Sequence, residues 1–110
     1  MLRDESRVVL VRRRQEGRTY FAFPGGRLHR GESPAEAAER EAREVLGVRV
    51  VLGPRLLIEE VRGQTVHYFS ALVVDGELGT GDVKPEWLEV RELPNYDVRP
   101  RALAAILTGG

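Results

Sequence analysis

Short apolar runs bounded by charged residues, glycine or proline recur through the first part of the chain, and such runs predict β-strands. The segment Arg7–Arg14 holds an unbroken aliphatic run closed by arginines, which predicts a strand buried on both faces. A turn at Gln15–Arg18 and a second strand over Thr19–Phe23 follow. A proline and two glycines end this strand, because they permit backbone conformations that are closed to other residues. They begin a loop that runs to about Glu32.

A helix is predicted over Pro34–Leu46. Ser33 is a good N-cap residue, Pro34 suits the first helical position, and Glu36 is placed to complete a capping box. Gly47 is the expected C-terminal cap. These start and stop signals make the helix the best defined element of the sequence.

The second half of the chain predicts a simple meander followed by a helix. In order, we expect a strand over Val48–Val61 interrupted at Gly53–Pro54, a turn at Arg62–Gln64, a strand over Thr65–Val74, a loop over Asp75–Pro85, a strand over Trp87–Val90 and a helix over Arg99–Leu107. The chain length of 110 residues suits one domain with one core, so residues 1–110 are interpreted as a single domain.

Composition narrows the functional classes. The 17 basic and 17 acidic side chains cancel, so no global field draws the protein to DNA, RNA or an anionic membrane, and any polyanion must be held locally. The absence of cysteine excludes disulfides and thiolate metal sites. No apolar run approaches the roughly 20 residues of a membrane span, and the N-terminus lacks the pattern of a secretory signal. We therefore expect a cytoplasmic protein without a membrane segment.

The charges of the predicted helix admit two interpretations. In the first, they form a solvated face with ion pairs at i,i+4, namely Glu36–Arg40, Glu39–Arg43 and Arg40–Glu44. In the second, Glu41 and Glu44 form a magnesium-phosphate site, because they lie one turn apart near the apolar stripe of the helix and the helix follows the glycine-rich loop. Mg²⁺ takes oxygen ligands and is usually held by one or two carboxylates together with substrate phosphates.

The segment from Gly26 to Val48 has the spacing Gly-x5-Glu-x7-Arg-Glu-Ala-Arg-Glu-Val-Leu-Gly-Val. It resembles the Nudix box, Gly-x5-Glu-x7-Arg-Glu-U-x-Glu-Glu-x-Gly-U, in which U is aliphatic. The matching positions are Gly26, Glu32, Arg40, Glu41, Glu44, Gly47 and Val48. The similarity extends upstream through Phe-Pro-Gly-Gly and downstream to the segment Trp87–Pro94, which resembles the family's W-x-x-x-x-E-L-P stretch.

The resemblance implies the α+β Nudix fold, a mixed β-sheet sandwiched between helices (α/β/α). It also implies an Mg²⁺- or Mn²⁺-dependent hydrolase that cleaves a nucleoside diphosphate linked to another moiety. By the same resemblance, Glu41 and Glu44 would bind the metal, Glu41 would activate water and Arg40 would hold a box carboxylate in position. Gly25 and Gly26 would shape the substrate loop, Arg12 or Arg13 would reach a phosphate, and Glu32 and Gly47 would be structural. Arginines at a strand end are also commonly only solvated.

One box position departs from the family pattern, because Val45 stands where the family has a glutamate that commonly binds metal. On an ideal helical wheel this position is about 40° from Glu41, so the missing ligand would belong to the same cluster. Water can replace a protein oxygen on Mg²⁺, so the site either binds metal more weakly or has lost catalysis. Asp82 or Glu86 could supply a compensating carboxylate.

Other polar residues are weaker candidates. Glu59 and Glu60 are adjacent in a strand, so at most one is expected to face the site. His67 is interpreted as a packing or surface residue, and neither His29 nor His67 has a partner histidine at metal-binding spacing.

The beginning of the chain also departs from the family, which usually has a strand before Arg7–Arg14. This strand is expected to be curtailed, or the true start lies upstream. A missing strand would expose a sheet edge that a second subunit could cover, so a homodimer is possible.

Three functions remain open: a metal-dependent pyrophosphohydrolase, a nucleotide-binding module whose metal site has decayed, and a structural domain. The third leaves the loop and the matched box unexplained. The substrate itself is open, because Gly63–Thr65 carries no proline or tyrosine that would mark a subfamily.

Overall fold

A computed structural model describes residues 1–109 of the chain. Its strands are β1 (Arg3–Asp4), β2 (Arg7–Gln15), β3 (Arg18–Ala22), β4 (Gly26–Arg27), β5 (Val48–Val61), β6 (Gln64–Gly76), β7 (Pro85–Glu89) and β8 (Val98–Arg99). Its helices are α1 (Pro34–Glu41), which continues as a π-helical turn over Ala42–Leu46, a 3₁₀ helix over Val90–Asn95, and α2 (Arg101–Thr108).

Strand β2 is the centre of the first sheet. It pairs antiparallel with β1, β3 and β7, and β8 extends the sheet by pairing parallel with β3. Val8 and Leu10 belong to a core that includes Leu103 of α2, whereas Val9 and Val11 belong to a second core at the end of α1. The prediction of a strand buried on both faces is confirmed.

The second sheet has the strand order β4-β6-β5, and the long β5–β6 hairpin forms most of it. Contrary to the predicted interruption at Gly53–Pro54, β5 is one continuous strand. The register shifts between Leu52 and Arg55 and again between Arg55 and Leu57, so bulges accommodate the proline without ending the strand. The predicted loop is also shorter, because β6 extends to Gly76.

Helix α1 begins as predicted, with both hydrogen bonds of the Ser33–Glu36 capping box present. Its last turn departs from the prediction of a regular helix, because Ala42–Leu46 is π-helical. A π-helical turn is wider than an α-helical one, so the ideal wheel does not apply over these residues. Gly47 ends the helix in the left-handed conformation, with φ of 80°.

The helices pack on opposite faces of β2, because Leu103 of α2 joins the core of Val8 and Leu10, whereas Ala42 and Leu46 join the other core. Helix α1 contacts β4, β5 and β6, whereas α2 contacts β8, the 3₁₀ helix and β5. Structurally, the α+β class with a mixed sheet between helices is therefore confirmed. None of the helices described within residues 1–109 has the length and apolarity that crossing a membrane requires.

The first residues join the two sheets. β1 is only two residues long, and Leu2 forms a parallel bridge to Ala71 of β6 while its carbonyl accepts a hydrogen bond from the Val9 N–H at 3.0 Å. This segment thus lies between β2 and β6 and makes the two sheets into one curled surface.

Candidate active site

The glycine-rich loop brings β4 against α1. A Cβ atom at Gly26 would lie 2.8 Å from the backbone nitrogen of Ala38 and 3.0 Å from its Cα, so only glycine allows this approach. Gly25 is packed as closely, since a Cβ atom there would lie 2.6 Å from the Tyr68 ring. The loop and the first turns of the helix therefore form one closely packed unit.

Arg40 connects the box carboxylates. Its Nε and Nη2 donate to the two carboxylate oxygens of Glu32 at 2.7 and 3.2 Å, and Nη2 also donates to the Arg27 carbonyl at 2.9 Å. Its Nη1 donates to one oxygen of Glu41 and one oxygen of Glu44, each at 3.3 Å. A single guanidinium thus contacts three carboxylates beside the loop.

The three carboxylates differ in the number of hydrogen bonds that they accept. Glu32 accepts from Arg40 and from the His29 backbone N–H at 2.8 Å, and the hydrogen bond from Arg40 is the main reason that its pKa lies below the ordinary value of 4.5. Glu41 and Glu44 each accept one long hydrogen bond from Arg40. Because each keeps free lone pairs, these two could bind a metal while Glu32 supports the arginine.

A segment between β6 and β7 caps the end of this helix. The carbonyls of Glu44 and Leu46 accept from the N–H groups of Asp82 and Gly79 at 2.8 and 3.0 Å. A Cβ atom at Gly47 would lie 2.1 Å from the Thr80 hydroxyl oxygen, so the segment sits directly on the glycine cap. Backbone groups that a helix end leaves free are satisfied here by a distant part of the chain.

A cleft of about 850 Å³ opens beside the helix and is bordered by residues of both sheets. This volume is within the range of small-molecule sites. Its charged lining consists of Arg13, Arg14, Arg27, Arg62, Arg99, Arg101, Glu41, Glu59 and Glu60. Although the chain as a whole has equal numbers of basic and acidic residues, arginine dominates this cleft. A polyanion would be attracted here.

Metal-binding groups are few in this arrangement. Within residues 1–109, no three histidine, aspartate or glutamate side chains are grouped so that they could hold a metal ion together. Glu41 and Glu44 are nevertheless both within hydrogen-bond distance of one Arg40 nitrogen. One or two carboxylates are what Mg²⁺ usually takes from a protein, because it completes its shell with waters and phosphate oxygens.

The family model described as the NUDIX domain matches residues 1–106, which is nearly the whole chain. The chain belongs to the Nudix family. A Nudix hydrolase from Nitrosomonas europaea has a similar structure, with a TM-score of 0.75 and 22% identity over 98% of this chain and 83% of that one. A structure from work on the MutT proteins of Aliivibrio salmonicida and Vibrio cholerae gives a TM-score of 0.67 and 22% identity, covering 98% of this chain and 87% of the other.

A shorter match joins this Nudix chain to part of a longer protein. It is 54% identical over 48 residues to an octanoyltransferase of Myxococcus xanthus, and these residues are 44% of this chain but only 13% of that protein. The similarity therefore concerns a segment.

The Nudix box places Val45 in the cleft together with Glu41. Val45 also packs against the second core, so the position at which the family has its further glutamate is aliphatic where it borders the cleft. Glu44 does not border the cleft and is half-exposed on the side of Arg40.

Two of the other predicted residues pair with each other. Arg12 donates to Glu86 through Nε and Nη2 at 2.9 and 2.8 Å, so both are occupied outside the cleft. Asp82 touches the helix end through its backbone. Arg13, by contrast, borders the cleft.

The expectation that only one of Glu59 and Glu60 faces the site is wrong for the cleft, because both border it. The cleft extends along the end of the β5–β6 hairpin, where Val61 and Arg62 border it too, so residues from both faces of β5 reach it. His67 is buried beside Phe69, as expected for a packing residue, and its Nδ1 has no hydrogen-bond partner within residues 1–109.

Several cleft residues had no signal in the sequence that marked them as functional. Arg99 lies far beyond Leu46, the last residue of the box helix, yet β8 brings it to Ala22 of β3. Tyr20 lies next to it in the same sheet, and the two stack with 4.0 Å between the guanidinium carbon and the ring centroid. This contact depends on the parallel pairing of β3 with β8, which the sequence does not reveal.

Proposed function

We propose that this Nudix chain is a divalent-metal-dependent pyrophosphohydrolase that cleaves a nucleoside diphosphate linked to another moiety. The observation that carries the proposal is the set of contacts made by Arg40, which joins Glu32, Glu41 and Glu44 beside an arginine-lined cleft. A solvated helix face needs only pairs within the helix, such as Arg40–Glu44, and does not account for the contact of Arg40 with Glu32, eight residues away. Membership of the Nudix family supports hydrolase activity.

Glu41 and Glu44 would hold the metal, because one nitrogen of Arg40 contacts an oxygen of each and both carboxylates keep free lone pairs. When bound, Mg²⁺ or Mn²⁺ would neutralise diphosphate charge, orient the phosphates and lower the pKa of a water molecule. Of these two carboxylates only Glu41 borders the cleft, so it is also the group placed to accept the proton of the attacking water. Cleavage would form a bond from the water oxygen to one phosphorus and break the bond from that phosphorus to the bridging oxygen, so that the second phosphate leaves and the proton of the water passes to Glu41.

The remaining residues bind and position. Arginines of the cleft would hold phosphate oxygens, and Arg40 would keep both metal-binding carboxylates on one side of the helix. Glu32 fixes Arg40 in turn. Gly26 keeps the loop close to α1, and Gly25 keeps it close to Tyr68 of β6.

The test is release of phosphate or nucleoside monophosphate from a panel of nucleoside triphosphates, ADP-ribose, dinucleoside polyphosphates and NADH. We expect turnover of at least one compound with Mg²⁺ or Mn²⁺ and none with EDTA. Turnover that persists in EDTA, or silence across the whole panel in the presence of metal, would contradict the proposal.

A nucleotide-binding module without catalysis is the alternative, and Val45 is the observation that favours it. An aliphatic side chain occupies a cleft position at which the family has a carboxylate, and the described residues offer no third metal-binding side chain nearby. Val45→Glu separates the two functions. A decayed site should gain activity by orders of magnitude, whereas an enzyme that works with Glu41 and Glu44 should change little.

A further inference from the structure

The first sheet carries an oriented guanidinium on the face that borders the cleft. Arg99 donates from Nε and Nη2 to the two carboxylate oxygens of Asp97 at 3.2 and 3.1 Å. Its guanidinium carbon lies 4.0 Å from the centroid of the Tyr20 ring. A bidentate ion pair and a stacked ring together fix the plane of the guanidinium. An isolated surface arginine has neither contact, so its guanidinium is free to rotate.

The backbone at this point is fixed as well. Arg99 pairs with Ala22 in the β3–β8 ladder, and its carbonyl accepts from the Phe23 N–H at 3.0 Å. An arginine held through both its backbone and its side chain loses little conformational freedom when it binds a ligand, and so it binds more effectively.

A second arginine lies on the same face. Arg13 is directly opposite Tyr20 in the β2–β3 ladder, and directly opposed residues project from the same side of a sheet. Arg13 borders the cleft, and no carboxylate lies within ion-pair distance of it among residues 1–109. Arg99 uses two of its five N–H groups on Asp97, which leaves three for a ligand.

We propose that Arg13, Tyr20 and Arg99 form an anion-binding subsite of the cleft, and that the substrate carries a phosphate beyond the diphosphate that is cleaved. The inference rests on the proposed hydrolase function, since Glu41 in the same cleft would act on the cleaved diphosphate. A diphosphate between two neutral groups has only about two negative charges, whereas each further terminal phosphate adds about 1.5 to 2. The excess of arginine over glutamate along the cleft suits the more highly charged class.

Binding of inorganic tripolyphosphate in EDTA, measured by calorimetry, tests the subsite without catalysis. The variants are Arg99→Gln and Arg13→Gln, and the control is Arg49→Gln, an exposed arginine of β5 that does not border the cleft. We expect either cleft substitution to weaken binding by about tenfold or more, and the control to leave it unchanged. Absence of binding to the unaltered protein, or equal binding by all variants, would overturn the proposal. Adenosine carries no phosphate and is therefore the probe for base stacking. If Arg99→Gln weakens the binding of adenosine but not that of tripolyphosphate, the proposal is also overturned.

Hydrolysis of matched substrate pairs then identifies the source of the extra phosphate. ATP against ADP reports a longer phosphate chain, and NADPH against NADH reports a phosphate on the ribose. We expect a higher kcat/KM for the more phosphorylated member of one pair, and loss of that preference in Arg99→Gln. Hydrolysis without any preference contradicts the subsite but leaves the hydrolase function standing. Tripolyphosphate binding that depends on Arg99, without hydrolysis of any pair, contradicts the hydrolase function but leaves the subsite standing.

Discussion

Substitution of Gly47 by alanine tests whether the segment between β6 and β7 determines the end of the box helix. Gly47 has φ of +80°, and an added Cβ atom would lie 2.1 Å from the Thr80 hydroxyl oxygen and 2.6 Å from the Gly81 nitrogen. Thr80 can move its hydroxyl, but the Gly81 nitrogen is backbone. Alanine must therefore displace the segment or distort the helix end.

The magnitude combines two costs. The left-handed conformation costs a residue with a Cβ atom about 1–2 kcal/mol, and overpacking of a tight contact adds about 1–3 kcal/mol. The smaller conformational entropy of the unfolded alanine chain returns about 0.4–1 kcal/mol. We expect a net loss of about 2–4 kcal/mol in the free energy of unfolding, which lowers Tm by roughly 10 °C or more for a domain of this size.

Gly17→Ala is the matched control. Gly17 has φ of +77°, nearly the same as Gly47, but an added Cβ atom would have nothing within 4 Å. It should therefore lose only the conformational part, about 1 kcal/mol or less. Urea denaturation of the two variants, with the unaltered protein alongside, measures the difference. If Gly47→Ala is no more destabilising than Gly17→Ala, the segment does not pack on the helix as described.

Two further substitutions address the carboxylate cluster. Arg40→Lys keeps the charge but cannot reproduce the planar guanidinium that contacts Glu32, Glu41 and Glu44. We therefore expect kcat/KM of the proposed hydrolysis to fall about a hundredfold. The control, Arg43→Lys on the exposed face of the same helix, should leave kcat/KM unchanged. Equal activity of the two variants would contradict the role given to Arg40. Because the pKa of Glu32 is lowered in the fold, its ionised form stabilises the protein above pH 4.5 and this stabilisation is lost as the pH falls through the lowered value. The stability difference between the unaltered protein and Glu32→Gln, measured by urea denaturation, should thus be large near neutral pH and shrink in acid; a difference that does not change with pH would show that Arg40 does not lower this pKa.

The sequence predicts an element correctly where residues close together in the chain determine it. The Ser33–Glu36 capping box and the Gly47 cap are made by residues close in sequence, and both are present in the structure. The apolar run of β2 predicted burial on both faces because no polar residue interrupts Val8–Val11. The family resemblance, carried by the box spacing, is confirmed by the match over residues 1–106.

Features that depend on distant partners could not be predicted in this way. Gly53–Pro54 is a reasonable strand breaker locally, yet β5 continues because β6 pairs with it on both sides of the bulges. The contact of Arg99 with Tyr20 depends on β8 returning beside β3. The π-helical turn is stabilised in part by N–H groups of residues 79–83, which the sequence of the helix does not contain.

The most direct test of the proposed function is metal-dependent nucleotide hydrolysis by Glu41→Gln and Glu39→Gln. Both replace a glutamate of the same helix by its amide, but Glu41 borders the cleft and contacts Arg40, whereas Glu39 is exposed and does not border the cleft. If Glu41 binds the metal and accepts the proton of water, turnover with Mg²⁺ or Mn²⁺ should be abolished in Glu41→Gln and retained in Glu39→Gln. Turnover that survives in Glu41→Gln, in a protein that is folded and dependent on metal, would contradict the assignment of this site.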